Sequence, residues 1–167
     1  MALEIVRLLD ETGWHILEAL QDNARLSFSE LGQRVGLSSP AVAERVRRME
    51  DAGIITGYRA EVNTAKIGYP ITAIMRMHAH GERCTRLNAV VREIPEILEC
   101  YRVTGEDCHV MKIMVSSVEH LESLIDRLSV YGQVTTSIVL SSPVTRRIVT
   151  RVTENAIEER VEAFLSQ

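Results

Sequence analysis

Near residue 69 the spacing of apolar residues changes from helical to strand-like, and this change constrains the fold more than any other feature of the chain. Before it, Trp14, Leu17 and Leu20, with Ile16 beside them, recur on one face of a helix, with capping residues ahead of them in Leu9-Asp10-Glu11-Thr12. Ser27 or Ser29 caps a second, short helix whose inner residues are Leu31 and Val35 and which Gly36 stops. Ser38-Ser39-Pro40 opens a third helix, with serine as N-cap and proline at the first helical position, and Gly53 ends it. Residues 54–62 then alternate apolar and polar around Gly57, which predicts a small two-stranded wing.

After residue 69, Ile71, Ala73, Met75 and Met77 alternate with Thr72, Ile74, Arg76 and His78, as a strand requires. A helix over 85–94 stopped by Pro95, a strand over 97–103, a turn at Gly105 and a strand over 109–115 follow. An amphipathic helix over 118–128, with Leu121, Leu124, Ile125 and Leu128 on one face, and a strand over 134–140 complete a βαββαβ order, the ferredoxin-like arrangement. A Glu-rich helix is expected over 153–165. The fold class is therefore α+β: a winged helix-turn-helix domain over 1–62, then a ferredoxin-like domain with an extra C-terminal helix over 63–167. About 60 residues hide only about 60% of their unfolded surface, so the first domain is expected to lean on a neighbour or a partner chain.

The turn between the second and third helices, Val35-Gly36-Leu37-Ser38, carries the chemistry. Gly36 suits a left-handed position, and Leu37 can plug the angle between the helices. Rotation about the third helix at about 100° per residue puts Val42, Val46, Met49 and Gly53 on the core side. Pro40, Ala41, Glu44, Arg47 and Arg48 lie opposite, and Arg45 sits on the flank. Such a helix in a DNA major groove would present Ser38, Ser39, Ala41 and Glu44 early, where small residues allow close approach and N–H groups can bind phosphate. Arginines further along can take phosphates or guanine. Glu44 can accept from cytosine or pair with an arginine. Arg34, Tyr58 and Arg59 are candidates for contacts to the DNA backbone. The plain alternative is that Arg45, Arg47 and Arg48 form a solvated helix face.

Composition narrows the field. The formal net charge of −4 is not that of a protein that coats nucleic acid indiscriminately, although it leaves room for a local basic patch. Three cysteines, Cys84, Cys100 and Cys108, form neither a disulfide framework nor a zinc spacing, and read as small core residues of a reducing compartment. Residues 1–7 do not read as a signal peptide, and no apolar run approaches the roughly 18 residues that span a bilayer. The expectation is a cytoplasmic, nucleoid-associated protein without membrane partners. No nucleophile elbow or phosphate-cradling glycine loop is present, so neither an enzyme nor a cofactor is expected. His15, His78, His80, His109 and His120 are scattered and call for no metal. Met75, Met77, Met111 and Met114 read as core filler.

The residues 9–17, Leu31-Gly32-Gln33-Arg34-Val35-Gly36-Leu37-Ser38 and the run 46–58 together resemble the Lrp/AsnC family of transcription regulators, and the likeness extends over about residues 9–143. Gly13 departs from it, standing where the family usually has aspartate, so Asp10 or Thr12 must cap the first helix. The resemblance implies a DNA-binding regulator tuned by an amino acid or related small molecule. It also implies sheet-mediated homodimers that assemble further, to tetramers or octamers. The family's effector loop corresponds to Val103-Thr104-Gly105-Glu106-Asp107-Cys108, with Cys108 and His109 replacing an aromatic–acidic pair. There Asp107 or Glu106 can take a ligand's ammonium, and the backbone around Gly105 with the hydroxyls of Thr135, Thr136 and Ser137 its carboxylate. Without the resemblance the same loop is an ordinary acidic hairpin turn. An alternative on a similar scaffold is a tetrapyrrole-acting enzyme resembling the sirohaem decarboxylases, against which the basic third helix argues. A sensor or assembly module without DNA binding is a third reading.

Overall fold

The computed structural model describes residues 7–151. These divide into two compact units, one formed by residues up to 60 together with those from 144 onward, the other by residues 61–143. The helix expected over 153–165 lies outside the described residues.

The first unit is built on α1 (Glu11–Asp22), α2 (Phe28–Val35) and α3 (Ser39–Asp51). Asp10 caps α1, its carboxylate accepting from the Gly13 N–H at 2.8 Å. Ser27 and Glu30 form a reciprocal capping box at α2, and Gly36 closes that helix at φ 71°. The core is Leu8, Ile16, Leu20, Leu31, Val42, Val46 and Met49. The buried side of α1 thus runs through Gly13, Ile16 and Leu20, and Trp14, expected on it, is only half-buried. Gly13 explains the shift, because a methyl group there would overlap the Leu8 carbonyl oxygen and meet the Met49 methyl at 3.1 Å. The close packing of Leu8 and Met49 therefore requires glycine at position 13. Gly32 is equally constrained, since a side chain would collide with the Leu37 carbonyl oxygen across the tight turn.

The two-stranded wing expected over 54–62 is not formed as paired strands. Ile54 and Ile55 fold back onto Met49, their N–H groups donating to its carbonyl oxygen at 2.9 and 3.2 Å, and they pack on the helical core. Residues 56–63 carry no strand, and Tyr58 and Val62 are exposed. An isolated two-stranded hairpin is marginal in water. Residues 146–149 belong to this unit through Gln21. Its side-chain amide donates to the Val149 carbonyl at 2.9 Å and accepts from the Val149 N–H at 2.8 Å, and Arg146 donates to its backbone carbonyl.

In the second unit β1 (Ile71–His78), α4 (Glu82–Val90), β2 (Ile97–Arg102), β3 (His109–Val115), α5 (Val118–Ser129) and β4 (Gln133–Ile138) follow one another. The antiparallel sheet has the order β2-β3-β1-β4, the ferredoxin-like topology expected from the sequence. Helix α4 starts three residues before the expected 85 and gives way to a 3-10 turn over Val91–Glu93, ahead of the constraint that Pro95 places on its predecessor. Ala73, Met75 and Met77 of β1 and His109, Met111, Ile113 and Val115 of β3 are buried on one face, with Leu87 of α4 and Leu121, Leu124 and Leu128 of α5. The other face carries Ile74, Arg76, Val110, Lys112, Thr135 and Ser137 and is covered by no helix of this unit. Glu96 pins α5 to the start of β2, its carboxylate accepting from His120 at 3.0 Å and lying 3.5 Å from Arg127.

Candidate DNA interface and effector loop

Helix α3 offers its outer side to solvent. Ser38, Ser39, Pro40, Ala41, Glu44, Arg47 and Arg48 are exposed, while Val42, Val46 and Met49 hold the opposite side in the core. Ser38 is the N-cap residue but makes no side-chain capping bond, and Pro40 follows in the first turn. The small side chains leave the amino end of α3 open to approach, where helix N–H groups favour an anion.

The three arginines of the helix sit differently. Arg45 is half-buried and ion-paired to Asp10, so one aspartate both caps α1 and anchors α3. The Gly13 N–H, and then Arg45, hold the Asp10 carboxyl below its ordinary range despite some desolvation. Arg47 is exposed and bonded to Glu44 at 2.8 Å and Asp51 at 3.0 Å along the helix. The Glu44 hydrogen bond and both acidic charges raise its pKa further. Of the two alternatives for Glu44, its arginine partner is thus present in the free chain. An exposed pair of this kind contributes little to stability and exchanges readily with phosphate. Arg48 and Arg34 are exposed, Arg34 on the last turn of α2. Arg59 is exposed beside Tyr58, whose hydroxyl donates to Glu50 at 2.9 Å. Desolvation, and then Glu50, push that phenol up to about 12, so it stays a neutral donor.

In the second unit, residues 103–108 connect β2 to β3, with Gly105 at φ 114°. The loop is tied to the end of β1. The Cys108 N–H donates to the Met77 carbonyl at 2.8 Å, the Val103 N–H donates to the Cys108 carbonyl at 3.2 Å, and His78 Nδ1 bonds the Glu106 carbonyl oxygen. Asp107 lies 3.6 Å from Arg76, and Arg76 faces Thr135 across the β1–β4 ladder. Thr104 and Glu106 are exposed. The three hydroxyls grouped by the sequence reading do not act together. The pleat sends Thr135 and Ser137 to the open face and Thr136 to the helix face, where its Oγ1 is buried with no hydrogen-bond partner among the described residues. Arg76 was missed in the sequence. Its signal was a charged residue in the outward register of a strand, beside an acidic turn that only the fold brings near.

The separation of the cysteines along the chain carries no pattern. The fold gathers Cys84, Cys108 and His109, whose Sγ and ring nitrogen atoms lie within 4.8 Å of one another. Burial, and then the Arg102 charge, push the His109 pKa down, so the ring is neutral, and burial and the Cys84 thiol push that of Cys108 up.

A three-helix unit with an open recognition helix, joined to a ferredoxin-like unit with a polar loop, defines a helix-turn-helix regulator carrying a ligand-binding domain. Comparison with known proteins agrees. A winged helix-turn-helix DNA-binding family matches residues 9–56, and the Lrp/AsnC ligand binding domain matches residues 72–149. The uncharacterized HTH-type transcriptional regulator YezC of Bacillus subtilis is 42% identical over 134 residues, which cover 80% of this chain and 95% of that protein. The solved structure of Bacillus subtilis LrpC superposes with a TM-score of 0.78 at 36% identity, over 83% of this chain and 99% of LrpC. A Neisseria meningitidis transcriptional regulator solved in complex with L-methionine superposes with a TM-score of 0.77 at 27% identity, over 88% of this chain and 98% of that one. The chain belongs to the Lrp/AsnC family of transcription regulators. The relatives named here are regulators, and the tetrapyrrole-enzyme reading gains no support from them. Among the described residues no helix is long and apolar enough to cross a membrane.

Proposed function

We propose that the chain is a cytoplasmic, nucleoid-associated, non-enzymatic regulator that binds operator DNA through α3 and answers to an amino acid held at the 104–107 loop. The observation that carries the DNA half is the division of α3 into a buried side and an open one. Ser38, Ser39, Pro40 and Ala41 would meet base edges. Arg47 and Arg48 would meet phosphates or guanine further along, and Arg34, Tyr58 and Arg59 the flanking backbone. Glu44 would release Arg47 to a phosphate or accept from a cytosine amine. One such helix on a chain of net charge −4 is a modest grip, so useful affinity calls for two copies. The open sheet face, with Tyr101, Leu98 and Val103 exposed on and beside β2, supports a homodimer through the sheets, extendable to a tetramer or octamer. Paired α3 helices would then read half-sites roughly 34–36 Å apart.

For the effector, Arg76 and Asp107 present opposite charges 3.6 Å apart on a partly exposed surface, matching the two charges of a zwitterion. A ligand's carboxylate would take Arg76 with the Thr135 hydroxyl, and its ammonium Asp107 or Glu106, while Gly105 leaves the loop backbone accessible. The bound amino acid of the Neisseria relative supports this class of ligand. A mobility-shift assay on the chain's own upstream region tests the first half, and absence of any specific complex refutes it. A thermal-shift screen of the amino acids tests the second. A true effector at about 100 times its Kd should add about 2.7 kcal/mol, and the gain should be lost in Arg76→Ala.

A further inference from the structure

Where the effector loop runs into β3, the second unit gathers a cluster with ligand chemistry of its own. We propose that Cys84, Cys108 and His109 form a binding site for a thiophilic d10 cation of the zinc class. His109 is fully buried, and the half-buried Cys84 and Cys108 both bring their sulfurs to the same nitrogen of its ring. Its Nδ1 lies 3.1 Å from the Cys108 sulfur and 3.9 Å from that of Cys84. Zinc–sulfur and zinc–nitrogen bonds of tetrahedral geometry set a ligand-to-ligand separation of about 3.6 Å, which these two distances bracket. The two sulfur–nitrogen separations reach that value with shifts of a few tenths of an ångström, and all three ligand atoms lie within 4.8 Å of one another.

A second observation, independent of the three ligands, points the same way. The remote ring nitrogen of His109, Nε2, is 2.8 Å from the Asn88 side-chain oxygen. Its N–H therefore donates to Asn88, which fixes the tautomer and leaves the Nδ1 lone pair directed toward the sulfurs. An acceptor on the far nitrogen is the arrangement that orients metal-binding histidines. Cys84 and Asn88 stand one turn apart on α4, so one helix supplies both a ligand and the group that orients the second ligand. Two thiolates and a neutral imidazole balance a divalent cation. With three protein ligands a tetrahedral cation keeps one position for water or an outside donor. Cys108 also closes the 104–107 loop, so occupancy would tie α4 to that loop.

The test uses the full-length protein, reduced and stripped with a chelator, and titrated with Co2+ and then Zn2+. One Co2+ per chain should give a thiolate-to-cobalt charge-transfer band with tetrahedral d–d bands, and Zn2+ should bleach both. Zn2+ should also protect Cys84 and Cys108 of the unaltered protein from alkylation, read by peptide mass spectrometry, with exposed Cys100 unaffected. Cys84→Ser and Cys108→Ser should lose the band and Cys100→Ser keep it, while Asn88→Ala should weaken Zn2+ binding about 10- to 100-fold. No band and no protection in the unaltered protein would overturn the proposal even if a variant failed to fold. So would a band that survives in both Cys84→Ser and Cys108→Ser, or cysteines that only oxidise to a disulfide.

Discussion

Glu44 and Arg47 hold each other at 2.8 Å on the exposed side of α3, and Asp51 holds Arg47 from the next turn. The basic face inferred from the arginines is thus partly neutralised along the helix, and its strength toward DNA depends on how readily Arg47 exchanges partners. Glu44→Ala removes one of those partners. Affinity for non-specific duplex should rise several-fold and the salt dependence should steepen by about 0.9 per phosphate newly contacted. If Glu44 instead accepts from a cytosine amine, the same change weakens operator binding, so anisotropy titrations on both duplexes separate the two roles. An unaltered salt slope on both would place Arg47 away from the phosphates. A second residue-scale effect concerns Gly13, where any side chain meets the Leu8 carbonyl. Gly13→Ala should destabilise the helical unit by about 1–3 kcal/mol, read as a lowered thermal midpoint. A midpoint equal to that of the parent would mean that the Leu8 backbone yields without cost.

Among the elements, α5 offers the clearest pH dependence, because its His120 and Arg127 hold the Glu96 carboxylate at the start of β2. Desolvation raises the Glu96 pKa, but the His120 hydrogen bond and the Arg127 charge outweigh it, so the folded value lies below the ordinary 4.5. A depressed carboxyl pKa contributes stability that is complete above the unfolded value and is lost as pH falls through the folded one. Glu96→Gln should therefore lower the thermal midpoint at pH 7 and make no difference once the pH is well below about 4.5. A deficit that persists unchanged into acid would assign its effect to packing. Most elements could be read from the chain because their signals are local: Ser27 and Gly36 bound α2, and alternation marks β1. The winged helix-turn-helix class holds, but residues 54–62 form no paired strands, because alternation says nothing about whether a partner strand is in reach. Arg76 beside Asp107, Asn88 behind His109 and Asp10 beneath Arg45 were illegible for another reason. Each pair is made by the path of the chain and not by spacing along it.

For the whole molecule, an acidic chain would grip a polyanion by exposing Arg34, Arg47 and Arg48 on the helical unit and, under the proposed pairing of chains, by presenting that surface twice. The second unit accordingly has two tasks in this account, pairing chains and reporting a ligand. An amino acid that stabilises the protein should also change its affinity for the operator, and by linkage DNA should change the affinity for the amino acid by the same factor. Equal operator affinities with and without a stabilising amino acid would separate ligand binding from regulation. The central claim, that the open side of α3 is the surface that meets DNA, is tested most directly by a salt titration of anisotropy. The duplex is the chain's own upstream region, and the parent protein is compared with Arg48→Ala. The parent should bind its duplex specifically, well above an unrelated duplex. Arg48→Ala should bind more weakly, with a salt slope shallower by about 1. Parent binding no better than to the unrelated duplex, with Arg48→Ala indistinguishable at every salt concentration, would contradict it.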